Sequence, residues 1–133
     1  MTDWGAGHEV LAHALRRSLS RAGLEPGDVG LIVSGAGGSR AGDRLETLTL
    51  RAAWGDTPPP PVVAPKAVTG EYGGGVLGPA VLAAAGARFG PTPGFREPDP
   101  ELGLVPYDGS RRLAPSVVLA TSLAVGGAAA WLI

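Results

Sequence analysis

Few side chains in this 133-residue sequence could do chemistry, and their spacing does not favour it. There is no cysteine, so disulfides, thiolate metal sites and a thiol nucleophile are all excluded. His8 and His13 lie five apart in a stretch patterned as a helix, about 140° apart around its axis. They share no face and read as solvated or capping groups. Ser34 and Ser39 could be imagined as nucleophiles, but no histidine is placed in sequence to serve as their base. Gly35-Ala36-Gly37 follows an apolar strand and precedes a helix, as a dinucleotide loop does, yet Arg40 stands where the third glycine belongs. What remains are charged residues set among glycines: Asp43 and Glu46 in one run, Lys66 and Glu71 in another.

The run Ala64-Pro65-Lys66-Ala67-Val68-Thr69-Gly70-Glu71-Tyr72-Gly73-Gly74-Gly75 resembles the Lys-x-x-Thr-Gly-His loop of the beta-ketoacyl synthases, the condensing enzymes of fatty-acid and polyketide assembly. Glu71 takes the place of that loop's histidine. Residues Ile32 to Glu46 resemble the family's other histidine loop, His-Gly-Thr-x-Thr followed by Gly-Asp-x-x-Glu. Gly35 takes the histidine's place there, while Gly42, Asp43 and Glu46 match the rest. Further on, Phe95 to Leu102 looks like the Asn-x-x-x-Pro-Asp-Pro connection, and Ser122 to Gly127 like the Phe-Gly-Phe-Gly-Gly acyl-pocket loop. All four motifs come in the family's order.

In that family two histidines hold the thioester carbonyl and promote decarboxylation of the malonyl unit. Gly35 offers only backbone, and an ionised Glu71 would repel the developing enolate. The resemblance therefore implies a chain with no catalytic residue of its own, corresponding to the last third of a thiolase-type chain whose cysteine lies earlier. It implies a structural ion pair between Lys66 and Glu46 that fixes two loops. It also sets Val125 and Leu123 at the acyl-pocket gate, Val125 standing where the family has a phenylalanine. Loss of both histidines beside Pro-Lys-x-x-Thr-Gly is similar, too, to the chain length factors, the silent partners of type II polyketide ketosynthases. Those are full length and often carry arginine where this chain has Glu71.

The implied partners are a ketosynthase subunit or a complementary N-terminal half that supplies the cysteine, and an acyl carrier protein bearing a phosphopantetheine-bound acyl chain. No cofactor and no metal are implied. The implied role is that of a non-catalytic subunit in polyketide or specialised fatty-acyl biosynthesis, completing the fold and lining the acyl tunnel within an acyltransferase complex. The alternative is a scaffold that docks a ketosynthase or carrier protein without shaping product.

The elements that must position these loops alternate. His8 to Ala22, with Leu11, Leu15 and Leu19 at four-residue spacing and Arg16, Arg17 and Arg21 turned elsewhere, predicts an amphipathic helix ended by Gly23. A turn at Glu25-Pro26-Gly27-Asp28 leads to a strand at Val29 to Ser34. Asp43 is expected to cap a second helix running through Trp54. Thr57 to Pro61 is too rich in proline for regular structure. A third helix is expected from about Gly73 to Arg88 despite Gly78-Pro79, then a long surface loop from Pro91 to Leu113 and two closing strands. The fold class is α/β, the C-terminal portion of a thiolase-like fold with layered helices and a mixed sheet. Residues 1–133 form one domain with too few strands for a doubly covered sheet, so a partner chain is expected to complete it.

Composition agrees with a packed body. Gly 22 and Pro 13 make about a quarter of the chain, near the level where disorder is suspected. The 44% hydrophobic and 17% charged fractions argue for burial instead. A formal net charge of -1 gives no basic field for nucleic acid. Met1-Thr2-Asp3-Trp4 lacks a signal-peptide pattern, and a cytoplasmic location is the expectation. Pro115 to Ile133 carries no charge, but Gly126-Gly127 splits it into two apolar runs, which reads as two buried strands rather than a membrane span.

Overall fold

The computed structural model describes residues 7–72, 75–124 and 128–133. Val125, the expected gate, and Gly126-Gly127 lie outside the described residues, as do Gly73-Gly74.

Helix α1, His8–Arg21, follows from its leucine spacing: Ala12, Leu15 and Leu19 are buried while His13, Arg16 and Arg17 stay exposed. Strand β1 is the short Leu31–Val33, buried at every position. Helix α2, Arg40–Trp54, buries Leu45, Glu46, Leu50 and Trp54 on one side. The two-residue strand β2, Val62–Val63, leads into a single helical turn, α3, Lys66–Thr69. Helix α4 is Leu77–Ala84, and strands β3, Val118–Ala124, and β4, Ala128–Leu132, close the chain as an antiparallel pair.

The sheet order is β2-β1-β3-β4, with β1 parallel to both its neighbours and β4 antiparallel at the edge. Alternation along β1 decides the layering. Ile32 joins Leu15, Leu19, Leu50 and Leu119 beneath α1 and α2, whereas Leu31 and Val33 join Val63, Ala80, Ala83 and Ala120 beneath α4. Helices therefore cover both faces, as a mostly parallel sheet requires. The long loop is not wholly superficial: Tyr107 is buried and its amide donates to the Val62 carbonyl at 2.8 Å, covering the edge of β2. Among the described residues no helix is long and apolar enough to cross a membrane.

Two expectations are corrected by local geometry. The cap of α2 is Ser39, whose hydroxyl accepts from the Gly42 amide at 3.3 Å, so the helix starts three residues before Asp43. Asp43 instead reaches back to the amides of Gly37 and Gly38, each at 3.1 Å, and closes the preceding loop. Helix α4 is shorter than expected at both ends. Pro79 is tolerated because it sits in the first turn, where amide donors have no helical partner. The helix stops where Gly86 turns to φ +76°, with the Ala87 amide donating to the Leu82 carbonyl at 2.9 Å.

Candidate functional site

Three of the four motif segments meet at the C-terminal ends of β1 and β2, around a cavity of about 620 Å³ that the Phe95 to Leu102 segment does not line. Its walls include Gly35, Asp43, Glu46, Lys66, Glu71, Tyr72, Val76, Leu77, Ser122 and Leu123. A second cavity of about 240 Å³ lies on the other side of Glu46, between Ser34, Leu50, Phe95, Asp99 and Leu102. The Pro-Asp-Pro segment is tied to the outer side of α2: Arg44 pairs with Glu101 at 2.9 Å, and Arg51 donates to the Leu102 carbonyl at 2.9 Å.

Glu46 is the polar centre of this arrangement. Its Oε1 accepts from the hydroxyls of Ser34 (2.8 Å) and Thr121 and from the Gly35 amide (3.3 Å). Thr121 Oγ1 in turn accepts from the Gly35 amide at 3.0 Å, and Ser34 Oγ from the Ala36 amide at 3.0 Å. One buried carboxylate thus joins the end of β1, the side of α2 and the middle of β3. Burial pushes its carboxyl above the ordinary value of 4.5, and the negative charge of Asp43 adds to the rise; the hydroxyl and amide donors oppose it.

The ion pair expected between Lys66 and Glu46 is not the one formed. Lys66 Nζ lies 2.7 and 2.8 Å from the two carboxylate oxygens of Glu71, five residues along the same loop. The reason is local. Glu46 is turned inward onto hydroxyls and an amide, and Glu71 is the carboxylate that the α3 turn brings to Lys66. The lysine side chain is 8% exposed and Glu71 is 61% exposed, so the pair spans the cavity rim.

Both positions matched to the family's histidines are sterically defined. At Gly35 a Cβ would stand 2.5 Å from the Thr121 carbonyl oxygen and 3.1 Å from the Ser122 Cα, so β3 passes where any side chain would begin. Across the cavity, a methyl group at Gly37 would overlap the Glu71 carboxylate, which is therefore pressed against the 35–38 loop. Leu123, one of the expected gate residues, lines the cavity; Val125 is outside the described residues. His8 lies 3.5 Å from Glu9 on α1, and His13 is exposed. Neither histidine lines the cavity.

Sequence reasoning missed Thr121 and the structural use of Ser34. The signal was present as polar residues interrupting apolar strands. Their partnership depends on the β1–β3 register, in which Val33 lies beside Ala120, so that the next residues on each strand are Ser34 and Thr121.

The chain is thus a layered α/β unit with a mixed sheet, whose loops converge on a cavity at the strand ends. The chain matches the family model of the beta-ketoacyl synthase C-terminal domain over residues 4–86, and it belongs to that family. It is 34% identical over 93 residues to a protein of Streptomyces cyaneus named as polyketide beta-ketoacyl synthase 2, covering 69% of this chain and 22% of that one. It is also similar to the solved structure of the ishigamide ketosynthase/chain length factor, with TM-score 0.77 and 28% sequence identity over 94% of this chain and 32% of that chain. The chain thus spans between about a fifth and a third of the relatives it matches.

Proposed function

We propose that this chain is a non-catalytic part of a ketosynthase complex in polyketide or specialised fatty-acyl biosynthesis, where it completes the fold of a partner and lines the acyl tunnel. The observation that carries this reading is the pair of vacated positions. Gly35 leaves no room for a side chain under the Thr121 carbonyl, and Glu71 is engaged by Lys66 and presses on Gly37. Decarboxylation needs donors aimed at the developing enolate. This cavity offers carboxylates there, and the chain has no cysteine to carry an acyl group.

Exposed apolar surface supports the partner. On α4, Leu77, Val81 and Leu82 are 54%, 65% and 55% exposed, and the end of β4 leaves Leu132 and Ile133 open. Large apolar side chains left open on one helix are the kind of surface that an assembly covers. The partner would be a ketosynthase subunit or an N-terminal half that supplies the cysteine, with an acyl carrier protein delivering the acyl chain in the cytoplasm. Under this reading Leu123 and Val125 border the tunnel and the Lys66–Glu71 pair holds its rim.

The test is a product profile. With the complex reconstituted, Leu123→Phe and Val125→Phe are each expected to shift product chain length downward, since a larger side chain shortens the space available. Unchanged products with an intact complex would contradict the tunnel role and leave the scaffold reading, in which the chain docks a ketosynthase or carrier protein without shaping product.

A further inference from the structure

A third cavity, of about 260 Å³, opens on the side of the molecule formed by the end of the α4 segment and the loop before β3. Three arginines border it: Arg88 from one segment, Arg111 and Arg112 from the other, with Phe89, Tyr107 and Leu113 between them. The loop that carries the adjacent pair is fixed. Tyr107, itself buried, donates its hydroxyl to the Arg111 carbonyl, the Asp108 carboxylate accepts from the Ser110 amide at 2.8 Å, and Gly109 packs against Pro91.

The arginines elsewhere make a contrast. Arg16, Arg44 and Arg51 are engaged by the Ala52 carbonyl, Glu101 and the Leu102 carbonyl. Among the described residues, the guanidiniums of Arg88, Arg111 and Arg112 have no hydrogen-bonded or ion-paired partner; the one carboxylate of their loop, Asp108, accepts from Ser110 and acts on Arg111 through its charge alone. Three like charges on the rim of one cavity repel one another, and an anion between them offsets that repulsion. Guanidinium forks match the oxygens of phosphate in shape and charge.

We propose that Arg88, Arg111 and Arg112 form a binding site for a phosphate group. The site is separate from the 620 Å³ cavity and does not rest on the tunnel reading. The phosphate could be free in solution or be the phosphoester of an organic molecule, whose apolar part would then lie on Phe89 and Leu113.

The experiment is an NMR titration of the full chain, following the arginine Nε–Hε signals at constant ionic strength, with inorganic phosphate and with 4′-phosphopantetheine. Saturable shifts confined to these three arginines are expected, with affinity reduced at least about tenfold in Arg88→Gln and in Arg112→Gln and unchanged in Arg17→Gln on α1. Because all three substituted side chains are exposed, the variants keep the fold. Tighter binding of 4′-phosphopantetheine than of phosphate would assign the site to a phosphoester, and equal binding would assign it to the free anion. Shifts that do not saturate, that appear equally at Arg17, or that survive both substitutions would overturn the proposal.

Discussion

Glu46 is a carboxylate kept in a strand-helix junction by two hydroxyls and an amide, and its titration should be visible in stability. Its folded-state value is raised above 4.5, so between 4.5 and that raised value the folded chain holds a proton that the unfolded chain has released. Stability must therefore fall as pH rises through this window. Glu46→Gln removes the titration and is expected to flatten the pH dependence of the denaturation midpoint above 4.5. An unchanged slope would contradict the account of Glu46.

At Gly35 the expectation concerns the missing imidazole. Gly35→His should not restore decarboxylation of a malonyl thioester, and it should destabilise the fold by about 1–3 kcal/mol because the Cβ meets the Thr121 carbonyl. A stable, decarboxylating variant in an assay of malonyl thioester turnover would contradict the reading. Glu71→Gln, by contrast, keeps an amide oxygen to accept from Lys66 but removes the charge beside a lysine that is 8% exposed, and should cost about 1–3 kcal/mol in urea denaturation.

At the scale of elements, the helix starts and the core make separate predictions. Ser39→Ala removes the cap of α2 and should cost about 0.5–2 kcal/mol. Leu50→Ala opens the layer between α2 and the sheet and should cost about 2–5 kcal/mol. Denaturant titration of both variants checks the order. The sequence made α1, β1 and the existence of the terminal strand pair readable, because leucine spacing and uninterrupted apolar runs are local signals; the expected burial of both strands fails for β4, which lies at the sheet edge with no buried residue. The start of α2 was not readable in the same way, since Ser39 and Asp43 are both good capping residues and only the chain path selects Ser39. The ion partner of Lys66 was hidden for a similar reason: the α3 turn brings Glu71 to it, while the β1–β3 register holds Glu46 inside. The motif residues were legible as a set. Their pairing was a matter of tertiary geometry.

For the whole molecule, both sheet faces carry helices, yet α4 and the end of β4 leave large apolar side chains open. This is what a partner would cover under the proposed function. The membership in the beta-ketoacyl synthase C-terminal family fixes the architecture, and the silent cavity belongs to the proposed function, which Gly35 and Glu71 support. The most direct measurement is native mass by light scattering, on the chain alone and after co-expression with ketosynthase-like proteins encoded beside it. A stoichiometric complex, with the lone chain self-associating through its open apolar surface, is the predicted result; a well-folded lone monomer that ignores those proteins would contradict the central claim.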